Sequence, residues 1–541
     1  MATFKSQILT TSQTYQQNRQ EMLALIDHMR QLETRAELAS ARSSERFARR
    51  GQILPRERVA RLLDPASPFL EIGNMAGYLR DTDDRAQSIP GASMIAGIGF
   101  INGVRAMILA TDSGINAGAI TEIGGSKMVR CQDIALAQKL PFVHLVESAG
   151  ANLLEYRVQL FIQGGSLFQK FAKLSAAGCP VITVLHGSST AGGAYMPGMS
   201  DVVIGVRGRG QAFLAGPPLV KAATGEIADA DELGGAEMHA TITGLVEYLA
   251  ENDTDAIRLA REIIGRLQWQ KNLPPPHHAA TFREPRYDPE EIAGIVPVDY
   301  RQPYDVKEVI GRLADDSDLL EFKSRYGRQT VCVQANIHGH PCAFIGNNGP
   351  IDPDGATKAT HFIQLCCQAN TPLIFLQNTT GYMVGTSYEQ GGMIKHGSKM
   401  IQAVTNATVP RFTLMIGASF GAGNYGMCGR AYEPDFLFSW PNAVTGVMGG
   451  EQAAMTMRMV MEASAARRGQ TADPTQLDAQ EQAIIAHFNS QSDAFFTSGW
   501  LLDDGLIDPR DSRKVLAFLL QTADEAQRRT LYPNTFGVAR M

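Results

Sequence analysis

Two stretches, HGSSTAGGAY at residues 186–195 and IGASFGAGNY at residues 416–425, end an apolar run in the same way. CPVITVL precedes the first and PRFTLM the second, and each reads as a short buried strand. Both then break into small residues and resume with side chains that suit a helix. A strand that turns through glycine into a helix gathers backbone N–H groups that have no partner one turn back. The helix dipole adds partial positive charge at the same point. Such a place suits a developing oxyanion. The plainer reading is that the glycines only let a helix pack close to a strand.

The two stretches belong to a longer repeat. GSKMVRCQDIALAQKLPFVHLVESAG in the first half has its counterpart in ATKATHFIQLCCQANTPLIFLQNTTG in the second. Gly381 follows Gly150 by 231 residues (381 − 150), as Lys358 follows Lys127 and Pro372 follows Pro141. Pro410, Gly417 and Tyr425 follow Pro180, Gly187 and Tyr195 by 230 (425 − 195). An offset held this closely predicts two domains of one fold. The length of 541 residues also asks for two cores. The proline-rich polar stretch at 273–290 is the best boundary, giving domains at 1–274 and 275–541. Strands alternate with helices in each, so α/β domains with helix-covered sheets are expected.

Elsewhere the pattern is more ordinary. Residues 14–50 place Met22, Leu23, Leu25, Ile26, Met29 and Leu32 at helical spacing, as in amphipathic helices packing outside the core. Asn102-Gly103 between MIAGIGFI and VRAMILATD predicts a hairpin. Gly97, Gly99 and Gly103 fall within that strand and turn, not at a strand-to-helix junction, which sets aside a dinucleotide fingerprint. The net charge of −6 gives no basic footprint for nucleic acid. No apolar run reaches the ~18 residues that span a bilayer. The first residues lack a hydrophobic signal core, so a cytoplasmic protein is expected, in preference to a mitochondrial matrix one. Seven cysteines form no CxxC pair, which excludes a zinc ribbon and predicts buried reduced thiols; no metal is expected in this chain.

Each strand-end loop has partner loops in its own half. Ser148-Ala149-Gly150 and Gly216-Pro217 accompany the first, and Thr379-Thr380-Gly381 and Met448-Gly449-Gly450 the second. Two oxyanion sites in one chain point to a reaction with two carbonyl centres. Neither loop carries an obvious histidine or glutamate base. Ser188 and Ser189 beside His186 do not form a nucleophile elbow, because no G-x-S-x-G is present. A hydratase would need paired glutamates; Glu147 is one candidate without an evident second. A non-catalytic assembly subunit would not need both loops.

From about Arg56 to near the C-terminus the chain resembles the carboxyltransferase β subunits of biotin-dependent acyl-CoA carboxylases. The likeness rests on STAGGAY, LAGPPLVKAATGE, DELGGA, IGNNG, HFIQLCCQ, GAGNYGMCGRAY and VMGGEQAA. The last four look most like the methylcrotonyl-CoA and geranyl-CoA branch. The resemblance implies two tandem crotonase-like domains, each a superhelix of ββα units, with an internal repeat. It implies an acyl-CoA side in the first domain and a carboxybiotin side in the second. By motif, amides at Gly192 and Gly193 would face the thioester oxygen, flanked by Ala191, Ala194, Ser148, Gly150, Gly216 and Lys221. Those at Ala422 and Gly423 would face the biotin ureido oxygen, beside Phe420, Gly421, Thr380, Gly381, Gly449 and Gly450. A β6 ring within an α6β6 complex is implied, with a separate α subunit that carries biotin and the biotin carboxylase. This chain has no biotin-accepting lysine motif and no P-loop. Lys127 and Lys221 are the candidates for gripping the CoA nucleotide.

Methylcrotonyl relatives carry a bulky phenylalanine where this chain reads Gln163-Gly164-Gly165-Ser166-Leu167-Phe168. Gly164 in place of that ring opens room for a longer acyl chain, and Gly165 beside it is a further substrate-binding candidate. The preceding loop, 153–162, is also shorter than in methylcrotonyl relatives. Geranyl-CoA is therefore the expected substrate and methylcrotonyl-CoA the alternative; the other reading of Gly164 is a tight turn.

Overall fold

The computed structural model describes residues 3–150, 157–275, 281–534 and 537. Its first sheet is built from β1 (Leu70–Glu71), β2 (Met94–Ile101), β3 (Val104–Thr111), β4 (Phe142–Ser148), β5 (Val181–Thr190), β6 (Val202–Val206), β7 (Gln211–Phe213) and β8 (Tyr248–Ala250). Asn102 and Gly103 both take positive φ, 48° and 74°, and close the predicted β2–β3 hairpin with Ile101 opposite Val104. Strands β1, β2 and β3 are antiparallel; β3, β4, β5, β6 and β8 then run parallel, with β7 paired beside β5. Gly97 lies where a Cβ would stand 2.5 Å from the Leu70 carbonyl and 2.6 Å from the Phe69 ring. That glycine serves packing of β1 on β2, not a nucleotide.

The second sheet holds β9 (Leu320–Glu321), β10 (Thr330–Ile337), β11 (His340–Asn347), β12 (Leu373–Thr379), β13 (Arg411–Phe420), β14 (Phe436–Ser439) and β15 (Val444–Gly446). Its order, β14-β13-β12-β11-β10-β9 with β15 beside β13, matches β6-β5-β4-β3-β2-β1 with β7 beside β5. Register matches too. Phe142 pairs with Val181 and Leu373 with Arg411; after one shift in each ladder, Ser148 pairs with Ser189 and Thr379 with Ser419. Helix starts repeat as well: Thr121 accepts from Gly124 N at the head of Glu122–Ala137, and Asp352 from Gly355 N at the head of Pro353–Gln368. The protein is an α/β fold with two parallel-rich sheets, as its alternating pattern predicts.

Burial explains the strand sequences. Ile108, Val143, Val184 and Ile204 face Ala256, Ile257, Ala260 and Ile264 of the Asp253–Arg266 helix in one apolar cluster. Cys332, Ile345, Leu373 and Phe375 meet Phe362, Met400 and Val404 in the second sheet's counterpart. Each large aliphatic or aromatic side chain among them contributes roughly 1.5–3 kcal/mol on burial. All seven cysteines are unpaired and all but Cys367 are buried. Burial pushes the thiols of Cys332 and Cys366 up to about 12. Among the described residues no helix is long and apolar enough to cross a membrane.

The compact units do not follow a single cut between 274 and 275. One unit comprises 31–276, 499–501 and 522–541; the other 1–30, 277–498 and 502–521. Hydrogen bonds explain why the first residues count with the second sheet. Ser6 Oγ and Gln7 N both donate to Glu308 at 2.6 Å, and Phe4 N donates to Ser317 O at 3.0 Å. The Tyr15 ring fills the space that Gly294 leaves, 2.4 Å from where a Cβ would stand. At the other end Arg105 pairs with Glu525 at 3.0 Å within the first sheet's unit. Helical periodicity shows which face is apolar, not what covers it. Met22, Ile26, Met29 and Leu32 are buried along one face of the Gln13–Ala41 helix, as their helical spacing predicts.

A buried carboxyl beside β14 gives a pH-dependent term. Asp503 is 1% exposed, and burial pushes it up to about 6, against the neighbouring Ser439 and Ser498 hydroxyls. Because the folded value lies above the unfolded one, its stabilising contribution is complete below pH ~4 and is lost as pH rises through ~6. Asp503→Asn is therefore expected to flatten the fall in melting temperature between pH 4 and 7, recovering on the order of 3 kcal/mol. Parallel melting curves for parent and variant across that range would refute this.

Candidate active site

The strand ends carry two matched cradles, one in each unit. At the end of β5, Thr190 leads into a helical turn, Ala191–Ala194, and then the short helix Tyr195–Gly198. At the end of β13, Phe420 leads into the helix Gly421–Gly426. Neither entry has a side-chain cap. Ala422 and Gly423 are the second and third residues of their helix, where backbone amides have no partner one turn back. Gly192 and Gly193 hold the same places in the first turn after β5.

The correspondence extends to backbone and exposure. Ala191 and Gly421 both have φ of 54°. For alanine that left-handed conformation costs about 1–2 kcal/mol, and strain of this kind concentrates where a backbone has a job to do. Gly192 and Ala422 are exposed, Gly193 and Gly423 buried, and the following tyrosines, Tyr195 and Tyr425, are 51% and 45% exposed. Each cradle thus turns its second residue outward and its third against the sheet.

The neighbouring loops are built alike. Gly150 N donates to Ser148 Oγ at 3.1 Å, and Gly381 N donates to Thr379 Oγ1 at 3.2 Å. Gly150 O accepts from Ile120 N and Gly381 O from Ile351 N, both at 2.9 Å. Both glycines take positive φ, 87° and 121°. A Cβ on Gly150 would stand 3.2 Å from Thr190 Oγ1, and one on Gly381 3.5 Å from Phe420 O, so each loop lies against the mouth of its cradle. The Ser148 hydroxyl also donates to Gly118 O at 2.7 Å, so it shapes the loop. Thr380 is exposed beside Gly381.

Gly216 and Gly449 each cap a helix, Pro217–Thr224 after β7 and Gly450–Arg467 after β15. The Tyr300 ring joins Gly449 to the second cradle. It lies edge-on to Phe420 at 5.2 Å, and its hydroxyl stands 3.0 Å from where a Gly449 Cβ would be. No motif marks Tyr300, which comes from a loop far away in the chain. Gly450 packs on Asn489 of the Pro474–Ser492 helix, 3.0 Å from a would-be Cβ.

Gly164 and Gly165 sit inside the Val158–Ala177 helix, not in a tight turn, and a Cβ on either meets nothing within 4 Å. One turn on, Phe168 reaches the first cradle: its ring end lies 3.6 Å from a would-be Gly192 Cβ and its ring stands edge-on to Tyr195 at 6.0 Å. The helix face that leads to Gly192 therefore runs past two glycines. Part of the preceding loop, 151–156, lies outside the described residues.

Two sequence candidates fare differently. Lys127 is fully buried and donates to Met94 O at 2.7 Å and Gly91 O at 3.2 Å. Burial pushes it down to about 8, and it reaches no ligand surface. It is a core lysine; helical spacing alone could not tell that its face turns inward. Lys221 is exposed on the Pro217–Thr224 helix.

Glu147 is not free for acid–base work. Arg58, 1% exposed, holds it at 2.8 Å and holds Asp253 at 3.1 Å; Asp253 in turn meets His186 Nδ1 at 2.7 Å. Burial pushes His186 down, helped by Arg58 and opposed by Asp253. Burial alone would raise Asp253, but its bonds from His186 and the charge of Arg58 hold it below the usual carboxylate range. This buried network braces the β4 and β5 strand ends from behind, and neither a hydratase pair nor a serine triad arises from it.

Residues 47–539 match the carboxyl transferase domain family. The chain belongs to that family. It is 47% identical over 516 residues to the probable biotin-dependent acyl-coenzyme A carboxylase beta2 subunit of Mycobacterium tuberculosis, covering 94% of this chain and 95% of the relative. It is 43% identical over 509 residues to the biotin-dependent 3-methylcrotonyl-coenzyme A carboxylase beta1 subunit of the same organism, covering 92% and 93%. The crystal structure of the P. aeruginosa geranyl-CoA carboxylase beta subunit matches with a TM-score of 0.94 and 50% identity over 100% of both chains. The protein is the carboxyltransferase β subunit of a biotin-dependent acyl-CoA carboxylase. The motif resemblance and the family agree.

Proposed function

We propose that this carboxyltransferase acts on geranyl-CoA, placing a carboxyl group on the γ-methyl carbon of a branched α,β-unsaturated thioester. The observation that carries the substrate is the open helix face at Gly164 and Gly165, where an added Cβ meets nothing within 4 Å. The likeness to the P. aeruginosa subunit supports it. Methylcrotonyl-CoA, named for a relative, is the competing substrate.

The acyl-CoA sits in the first unit, its thioester oxygen facing the amides of Gly192 and Gly193. Loss of a γ-proton makes an enolate, and each fixed donor to such an oxyanion is worth about 3 kcal/mol. The amides of Ala422 and Gly423 face the ureido oxygen of biotin, with Phe420, Gly421, Gly449 and Gly450 around it. Their fit rests on two first-turn amides at a strand end whose entry residue, Gly421, holds a φ of 54°. Carboxybiotin supplies the carboxyl group and, once freed of it, a nitrogen base, so no side-chain base is required of this chain. Gly150 and Gly381 hold the cradle mouths open, and the strained Ala191 fixes the direction of the first pair of amides.

The two units are tandem crotonase-like domains, assembled as a β6 ring with a separate α subunit that carries biotin and its carboxylase. Seven unpaired cysteines suit a reducing bacterial cytoplasm. Bicarbonate fixation by the reconstituted α and β chains, across acyl-CoAs of rising length, tests this reading. Geranyl-CoA is expected to give the highest kcat/KM. Preference for methylcrotonyl-CoA would overturn the substrate assignment, and hydration of an enoyl-CoA by this chain alone would overturn the reaction.

A further inference from the structure

We infer that Asn424, Ser419 and Gln377 form a side-chain clamp that fixes the direction of the Ala422 and Gly423 amides in the second cradle. This role rests on the reading that those amides stabilise charge on the ureido oxygen of biotin. The three are positioning residues: they bind one another and the backbone, and the amides meet the charge.

The bonds run in sequence around the helix start. Asn424 directly follows Gly423, and its Nδ2 donates to Ser419 Oγ at 2.7 Å. Ser419 Oγ donates in turn to Gln377 Oε1 on the neighbouring strand β12. Gln377 Nε2 then donates to Met427 O at 2.7 Å, just beyond the Gly421–Gly426 helix. The clamp therefore grips the cradle on both sides, at the strand before it and at the turn after it. Ser419 and Gln377 are fully buried, where a hydrogen bond is not exchanged for one to water. Space for the Asn424 carboxamide is built in, because a Cβ on Gly429 would fall on Asn424 Oδ1.

The internal repeat shows what the clamp replaces. Ser189 stands on β5 as Ser419 stands on β13, one opposite Ser148 and the other opposite Thr379. In the first cradle Ser189 Oγ donates to Gly193 O at 2.9 Å, so the strand end holds the turn directly. Val146 there takes the place of Gln377 (377 − 231), and Ala194 the place of Asn424 (424 − 230). Neither side chain can hydrogen-bond. In the second cradle the serine's donor is spent on Gln377, and two carboxamides do the holding instead. Fixed donors lower a barrier because they need not reorganise as charge develops, so a loosened turn loses that advantage while still binding substrate.

The test compares the parent, Asn424→Ala and Gln377→Val/Asn424→Ala, the last of which rebuilds the first cradle's residues around Ser419. Asn424 is half-buried, so its truncation leaves the core intact. In the isolated β chain, hydrogen exchange is followed at the amides of Met427, Cys428 and Gly429, which bond back to Gly423 O, Tyr425 O and Asn424 O. In the complex reconstituted with the biotin-carrying α subunit, kcat and KM are measured for geranyl-CoA and methylcrotonyl-CoA. Asn424→Ala is expected to speed exchange and to lower kcat, each about tenfold or more, with KM for both acyl-CoAs unchanged. In the double variant Ser419 is free to donate to Gly423 O, so exchange and kcat should return to within about threefold of the parent. Its melting temperature should still fall, because Met427 O loses its donor. A merely structural role predicts the opposite order, with the double variant the least active. Parent-like exchange and kcat in Asn424→Ala overturn the clamp, as does a double variant no better than the single one. If Gly423→Ala loses activity while Asn424→Ala does not, the clamp fails alone. If both variants keep the parent's kcat although exchange quickens, the reading of the second cradle fails, and the clamp's part in transfer fails with it.

Discussion

Gly423→Ala is expected to lower carboxyl transfer by about 10²–10³-fold, the effect of losing one fixed oxyanion donor. The cause is steric. A Cβ at residue 423 would stand 2.9 Å from Gly381 Cα and 2.9 Å from Thr379 Cγ2, too close for the backbone to stay in place. Gly381 is itself fixed by the bond from its amide to Thr379 Oγ1 at 3.2 Å and by Ile351 N on its carbonyl at 2.9 Å. The helix start must move instead, taking the Ala422 and Gly423 amides with it. The first cradle makes a comparison within the same protein. A Cβ on Gly193 would meet only Ser189 Oγ, at 3.2 Å, so a small shift of one hydroxyl accommodates it. Gly193→Ala should therefore cost much less. The measurement is kcat of the reconstituted complex for both variants, with CoA binding followed separately. A Gly423→Ala enzyme with the parent's kcat would remove the second cradle from the mechanism.

Much of this arrangement was legible because it is local. Strand, glycine turn and helix follow one another within ten residues at both sites, so composition alone shows them. The duplication was legible because equal spacing survives even where few side chains agree; Ser148 and Thr379 differ, yet both take the amide of the glycine two residues on. What the sequence hides is long-range. Arg58 lies 89 residues from Glu147 and 195 from Asp253, and nothing in its surroundings announces a buried charge network. Tyr300 reaches Phe420 across 120 residues (420 − 300). Lys127 misled for the same reason: a lysine on a helix looks solvent-bound until the carbonyls of Gly91 and Met94 are brought to it. The strain at Ala191 is invisible too, since alanine is ordinary in any loop and only its φ of 54° marks it.

Gly164→Phe is expected to cut kcat/KM for geranyl-CoA by roughly 100-fold or more while methylcrotonyl-CoA turns over at close to its parent rate. A helical glycine with open space above it accepts a large side chain without strain on its own backbone, so the helix survives the change. The new ring would rise from the face that leads, through Phe168, to Gly192. An acyl chain longer by one isoprene unit needs that space; the short chain of methylcrotonyl-CoA ends before it. Each methylene denied burial costs about 0.8 kcal/mol, and the five carbons by which the two chains differ make the loss several-fold larger than that. The loss should fall on KM and kcat together, because a chain that cannot lie along the helix also misplaces its thioester at the cradle. Gly165→Ala is the gentler companion, since a methyl group trims the same groove without closing it. Steady-state kinetics on the two acyl-CoAs, with folding checked by thermal melting, decides the matter. Unchanged geranyl-CoA turnover in a folded Gly164→Phe enzyme would place the long chain elsewhere, and equal losses on both substrates would make the helix face a general support of the cradle with no part in chain length.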